Sequence, residues 1–326
     1  MEKGMTLEQI FCGVDTARIA VLGDFCLDAY WFADMKQSQL SREVPHFPLP
    51  VVSERYSAGG AGNVACNVAA LEPGSVKILG VIGTDWRGTM LKKCLAENGI
   101  DPSGLCEDAQ RVTNTYIKPM RMGISETIYE DPRLDFENHA PLSEETEDRL
   151  IEALRALDAD VLCVCEQMFN SCVTSRVRET LCALGEAGMT ILVDSRDRIG
   201  EYRNVIVKPN EVEAARALNS GEPYEKLVEQ LSERTGRPAI ITLGAQGCLL
   251  CEDGAVCAVP ARKVQPPIDI CGAGDAFLAS IACALAAGAK LQEAAWFANT
   301  AAAITTTKLN MTGTASRTEL REWWNR

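Results

Sequence analysis

The chain has 326 residues, 47% of them hydrophobic, which suffices for one large α/β core; length alone allows one to three domains, and a single main domain is expected. A net charge of −13 disfavours a nucleic-acid or anionic-membrane surface, which needs clustered Lys and Arg, and leaves small molecules as the expected partners. Fourteen cysteines sit mostly in apolar runs such as 161–165, and only His46 and His139 are present, so neither a disulfide framework nor a zinc site is expected. The opening residues lack the basic-then-apolar pattern of a leader, and no stretch reaches 18 uninterrupted apolar residues. A soluble protein of the reducing cytoplasm is the reading.

Taken in chain order, residues 18–22 read as a buried strand. Residues 61–71 read as a helix whose Ala61, Val64, Ala65, Val68 and Ala69 share one face. A strand over 76–82, a helix over 90–97 and a strand over 161–164 follow. Residues 191–193, 205–207 and 239–243 add three buried strands, each followed by polar or glycine-bearing turns, and 276–287 closes the series as an apolar helix. Such alternation predicts an α/β fold with a doubly wound, mainly parallel sheet flanked by helices. Ligands of such sheets gather where strands end. Asp24, Asp194, Asn210, Gly244 and Gly272 all read as belonging to those turns, able to converge on one crevice. Two stretches break the rhythm, 29–56 and 113–136. They predict antiparallel strands forming a small β lid over the crevice and a subunit contact, or else plain surface excursions.

Several constellations carry chemistry. Asp24 and Asp28 follow the first strand, where short carboxylates suit sugar hydroxyls; Asp24 is favoured, and capping of a turn is the alternative. Gly59-Gly60-Ala61-Gly62-Asn63 opens a helix and permits close backbone approach to a ligand. The same residues read loosely as a dinucleotide fingerprint, but one misplaced from the first strand, so a dehydrogenase is the weaker reading. Asn210 and Glu213, three apart at a helix start, suit Mg²⁺ through its waters, or equally a capping box. Thr242, Gly244 and Gly247 form a turn able to wrap phosphates, or a simple hairpin. In Asp269-Ile270-Cys271-Gly272-Ala273-Gly274-Asp275, two glycines at a helix start make an anion site, beside which Asp275 would take a proton from an incoming hydroxyl or merely cap the helix. No GxxxxGK[ST] sequence occurs, which removes a P-loop enzyme.

These motifs together resemble the ribokinase-like (PfkB-type) carbohydrate kinases over nearly the whole chain. Asp269-x-x-Gly272-Ala273-Gly274-Asp275 looks like that family's carboxy-terminal signature, Gly59-Gly60 with Asn63 like its glycine motif, and Asn210-x-x-Glu213 like its magnesium motif. Within the family, Leu27-Asp28-x-Tyr30-Trp31, residues 134–137 and Phe297-Ala298-Asn299 are similar to the heptose 7-phosphate kinase branch.

The resemblance implies that Asp275 is the catalytic base, that Gly272, Ala273 and Gly274 form an anion hole, and that Asp24, Gly60 and Asn63 hold the sugar with Asp28 and Gly59 beside them. ATP would meet Thr242, Gly244 and Gly247 at its phosphates and Asn299 near adenine, with Asp194 and Lys208 on the nucleotide side. Asn210 and Glu213 would serve Mg²⁺, and Asp269 a monovalent cation such as K⁺. A homodimer through the lid is a further implication. Departures from the pattern are Ile270-Cys271, a lengthened 308–314, and Gln39 where heptose kinases tend to show Arg, a loss that would weaken grip on a sugar phosphate. Ile270-Cys271 also keeps open a non-catalytic sugar or nucleotide sensor on the same fold. No second, nucleotidyltransferase segment is read in the chain, so a kinase alone is expected.

Overall fold

The structure, a computed structural model, describes residues 4–309 and 311–324; residues 1–3 of the opening read as leaderless, and residue 310 within 308–314, lie outside the described residues. The chain runs α1 (Leu7–Val14), β1 (Arg18–Gly23), β2 (Phe25–Asp34), β3 (Val51–Gly60), α2 (Ala61–Ala70), β4 (Ser75–Gly83), α3 (Trp86–Glu97) and β5 (Leu105–Asp108). Then come β6 (Thr115–Met122), β7 (Tyr129–Glu130), β8 (Leu134–Phe136), α4 (Glu144–Arg155), β9 (Val161–Glu166), α5 (Ser175–Glu186), β10 (Thr190–Ser195) and β11 (Ile206–Val207). The last third carries α6 (Glu211–Leu218), α7 (Tyr224–Thr235), β12 (Ala239–Thr242), β13 (Cys248–Glu252), β14 (Ala255–Val259), α8 (Ala273–Ala286), α9 (Leu291–Thr306) and α10 (Arg317–Trp324). Side-chain oxygens start many of these helices: Thr6, Asp85, Ser143, Thr174 and Asn210 each accept a first-turn N–H.

Among the described residues, nine strands form one sheet in the order β14-β13-β12-β11-β10-β9-β1-β4-β5. From β12 to β5 every pairing is parallel, and only the β12-β13-β14 edge is antiparallel. Strand alternation explains the layers. Ile19 and Val21 of β1 face the core under α1, α2, α8 and α9, whereas Ala20 and Leu22 face the core under α4, α5 and α7. The winding reverses between β1 and β9, which lie side by side although 137 residues separate the end of one from the start of the other. That reversal opens a crevice at the carboxyl ends of the strands.

The two interruptions form a second sheet, β3-β2-β6-β7, with β8 also on β6. β2 and β3 pair antiparallel, but β2 and β6 are parallel, correcting the expectation of an all-antiparallel lid. Both strands leave the end of the core sheet in the same direction, and the long crossover through β4 and β5 between them is what such parallel pairing requires. The lid strands also begin earlier and end later than 29–56, so that β3 delivers Gly59 and Gly60 directly to the start of α2.

One buried ion cluster stiffens the crevice floor. The Glu166 side chain at the end of β9 is wholly buried and accepts from Arg178 (2.8 Å), Arg198 (3.1 Å), Ser195 Oγ (2.7 Å) and Tyr202 Oη (2.8 Å). Removing that carboxylate leaves two guanidinium groups without their shared counter-charge. Glu166→Ala is expected to lower unfolding free energy by about 3–5 kcal/mol in urea titrations, and a loss under about 1 kcal/mol would contradict this role.

Candidate active site

The glycine turn before α8 sets the site. Gly272 is the N-cap at φ 78°, a left-handed conformation that glycine adopts without strain, and a Cβ there would lie 2.8 Å from Asn63 Nδ2. Asp275 therefore occupies the third helical position and does not cap the helix. Its Oδ2 accepts from Asn63 Nδ2 at 2.6 Å, joining the start of α2 to the start of α8. Asn67, one turn along α2, donates to Asn63 Oδ1 at 3.2 Å and to its carbonyl at 2.9 Å, which fixes the Asn63 amide with its N–H toward Asp275.

A cavity of about 880 Å³ opens at this point. Its wall includes Asp28, Gly60, Asn63, Asp194, Lys208 and Asn210, and also Glu213, Thr242, Gly244, Gly247 and Asn299 with Gly272, Ala273, Gly274 and Asp275. Residues read from five separate motifs thus meet in one place. Asp28 and the lid strands bound one end; Thr242, Gly244, Gly247 and Asn299 bound the other. Asp275 shares this wall with both sets and feels the charges of Asp194, Lys208 and Asp28.

Charges in the cavity are crowded. Burial first, then the Asp194 and Asp28 carboxylates, push Asp275 up to about 7 against the pull of Asn63 and Lys208. Lys208 Nζ is 2.9 Å from Asp194 Oδ2, both side chains being buried. Burial opposes the Lys208 charge, yet Asp194 holds the ammonium above its ordinary range. Glu213 is raised by burial and by Asp194. Asp28 is raised by burial, with Lys118 and Arg133 acting the other way.

Several expectations need correction. Asp24 does not line the cavity: its Oδ2 accepts from the N–H groups of Gln167 (2.8 Å) and Met168 (2.9 Å), and its Oδ1 from Ser171 Oγ (2.8 Å) and Cys172 N–H (3.0 Å). A carboxylate with both oxygens doubly engaged is not available to a sugar hydroxyl, whereas Asp28 lines the cavity. Gly59 also stands behind the wall, where a Cβ would meet Asp28 Oδ2 at 2.6 Å. Asp194 lies within β10, not in a turn. Ala273 N–H donates back to the Ile270 carbonyl at 3.2 Å, so the outward N–H groups of the α8 start are those of Gly274 and Asp275. Asp269 lies off the cavity, its Oδ1 accepting from Cys271 N–H at 2.9 Å.

The remaining residues singled out in the sequence have these partners, Asn210 and Glu213 taking the capping-box alternative. Asn210 and Glu213 form a reciprocal capping box, Asn210 Oδ1 taking two N–H groups while Glu213 Oε2 takes the Asn210 N–H at 2.9 Å. Asn299 Nδ2 donates to the carbonyls of Val259 (3.1 Å) and Pro260 (3.2 Å), anchoring the chain beside the cavity. Gln39 is exposed and off the wall, while Ile270 and Cys271 are on it. Sequence reasoning missed Lys118, Arg133, Gln167, Met168 and Asn67. Only Asn67 left a signal, as a second amide four residues beyond Asn63 in an otherwise apolar helix.

A family model described as pfkB family carbohydrate kinase matches residues 17–318. The chain belongs to the pfkB carbohydrate kinase family. It is 34% identical over 319 residues to the bifunctional protein HldE of Gluconobacter oxydans, covering 93% of this chain and 63% of that relative. HldE of Geotalea uraniireducens is 32% identical over 327 residues, with 96% and 64% covered. The chain thus spans less than two thirds of the length of these relatives. In fold it is similar to phosphofructokinase-2 from Escherichia coli in complex with fructose-6-phosphate, with a TM-score of 0.74 at 20% identity and 95% and 99% coverage. It is also similar to ribokinase from Thermotoga maritima, with a TM-score of 0.70 at 22% identity and 95% and 100% coverage. Membership makes the chain a carbohydrate kinase, an enzyme of a family that uses ATP and Mg²⁺, and sets aside the dehydrogenase.

The donor set fits Mg²⁺ with ATP. Glu213 and Asp194 crowd one another beside Lys208, and a cation would relieve the repulsion that raises Glu213. Because the Asp275 carboxyl is held near 7 against an ordinary value near 4, its ionised form costs the fold stability. That cost is absent below about pH 4, where folded and unfolded states are both protonated, and complete above pH 7. Asp275→Asn is expected to raise the melting temperature above that of the parent at pH 8, with the two converging as pH falls toward 4; a variant less stable at pH 8 would contradict the assigned environment.

Proposed function

We propose that the protein transfers the γ-phosphoryl group of ATP to a hydroxyl of a sugar phosphate, with Asp275 as general base and a substrate of the heptose 7-phosphate type. The observation carrying this reading is the Asp275 carboxylate, poised near neutrality beside the Gly274 and Asp275 N–H groups at the mouth of α8. In the reaction Asp275 takes the hydroxyl proton as the oxygen attacks phosphorus, and the first-turn N–H groups and helix dipole meet the negative charge of the transferring group. Mg²⁺ bound near Glu213 and Asp194 would neutralise part of the triphosphate charge. The shared cavity wall of Asp28, Asn63 and Gly60 supports a sugar at the lid end. A monovalent cation ordering the Asp269 turn belongs to the same proposal.

Two cations favour a substrate already bearing an anionic group. Lys118 Nζ bonds Tyr30 Oη at 3.1 Å, and Arg133, held by Asp135 at 2.6 and 2.7 Å, lies 4.4 Å from the Tyr116 ring centroid; both line the lid end. They supply what the absence of an Arg at Gln39 takes away. The exposed apolar Phe47, Val51, Val52, Leu134 and Phe136 on the lid region support a homodimer that covers them.

ADP release across a panel of sugars and sugar phosphates tests the reading; stimulation by none of them would favour a sensor. Asp275→Asn is expected to lower kcat by at least about 10²-fold with ATP affinity little changed, and near-normal turnover would refute the role. Since only the ionised base is active, kcat/KM is expected to fall with unit slope below about pH 7. Lys118→Met should raise KM for the phosphorylated sugar by about 10- to 100-fold while leaving an unphosphorylated analogue within about threefold. Equal effects on both would remove Lys118 from phosphate recognition.

A further inference from the structure

Asp24 is left without a part in the chemistry, yet it is among the most heavily bonded side chains of the crevice. Four donors converge on its buried carboxylate, three of them backbone N–H groups and all from one short turn, 167–172. That turn begins immediately after Glu166, itself fixed by Arg178, Arg198, Ser195 and Tyr202. Its first two residues, Gln167 and Met168, are cavity wall. The Gln167 carboxamide has no hydrogen-bond partner among the described residues, and Met168 Sδ receives the Tyr116 hydroxyl at 3.0 Å, Tyr116 being part of lid strand β6.

The turn is also tied to the lid at a second point. Asn170 Nδ2 donates to the Asn138 carbonyl at 2.7 Å, and Asn138 Nδ2 donates to the Val112 carbonyl (2.9 Å) and Asn114 Oδ1 (3.0 Å). The Asn114 carbonyl in turn takes the Leu27 N–H of lid strand β2 at 2.9 Å. A continuous hydrogen-bonded path therefore runs from the core sheet, through Asp24 and the turn, to the base of both lid strands.

We infer that Asp24 is a positioning residue of the sugar subsite: it holds the 167–172 turn so that the Gln167 carboxamide faces the sugar end of the cavity in register with the lid. The inference rests on the proposed placement of the sugar beside Asp28 and Asp275. An aspartate is required because every partner at Oδ2 and one at Oδ1 is an N–H that can only donate. The isosteric amide would turn an NH₂ group against at least one such N–H and release one side of the turn.

The test measures sugar KM, ATP KM and kcat for the parent, Asp24→Asn, Gln167→Ala and the double variant. Asp24→Asn is expected to raise sugar KM at least about tenfold with ATP KM within about twofold. In the Gln167→Ala background the same substitution should change sugar KM by less than about threefold, because the group it positions is gone. Full additivity, or a folded Asp24→Asn protein with unchanged sugar KM, overturns the inference, as does a parallel rise in both KM values, which marks a purely structural carboxylate. If Asp24→Asn does not fold, Ser171→Ala removes one donor alone; a sugar-selective rise in KM that Gln167→Ala abolishes supports the inference, and no rise refutes it. Failure of the parent to phosphorylate any sugar would instead strike the proposed function.

Discussion

The Asn63–Asp275 hydrogen bond is the constraint on which the site depends. At 2.6 Å it joins two helix starts 212 residues apart and obliges both glycine turns to open on the same cavity. Three further facts follow from it. Gly272 must lack a side chain, because a Cβ would press on the Asn63 amide. Asn67 must orient that amide from behind. Asp275 must point across the helix mouth, where its own charge is poorly solvated.

Crowding of carboxylates around this bond gives the cavity its chemistry. Asp28, Asp194, Glu213 and Asp275 share a wall with the buried ammonium of Lys208, which is already bonded to Asp194. Burial holds Asp28, Glu213 and Asp275 above their ordinary range, and neighbouring carboxylates add to it at Glu213 and Asp275, a state that favours a proton acceptor and the arrival of cations. The same arrangement costs stability, as functional sites commonly do. The fold offsets it with cores on both faces of the sheet and with the Glu166 cluster under the crevice.

How much of this could be read in the sequence depended on the range of the interaction. Buried strands such as β1 and β9, and the apolar helix α8, declare themselves locally through composition and turn residues. The Gly272–Asp275 turn did so as well, because a glycine turn at a helix start is a property of adjacent residues. Asp24 misled for the opposite reason: its donors lie about 145 residues away in the turn after β9, and nothing near Asp24 distinguishes a carboxylate that binds ligand from one that binds backbone. Lys118 on β6 and Arg133 just before β8 were equally silent, since a cation there acquires meaning only when the second sheet is laid over the crevice. The parallel β2-β6 pairing was hidden in the same way, because it depends on where the long crossover between the two strands returns the chain.

The most direct measurement is the titration of the Asp275 carboxyl itself, followed by NMR in protein labelled with ¹³C at aspartate side-chain carbons and assigned by the resonance lost in Asp275→Asn. The account predicts that this resonance titrates near pH 7 in the free protein, well apart from the ordinary aspartates. A midpoint near 4 would contradict it, showing a carboxyl in open solvent with no buried partner, no poised base and no reason for the two glycine turns to meet.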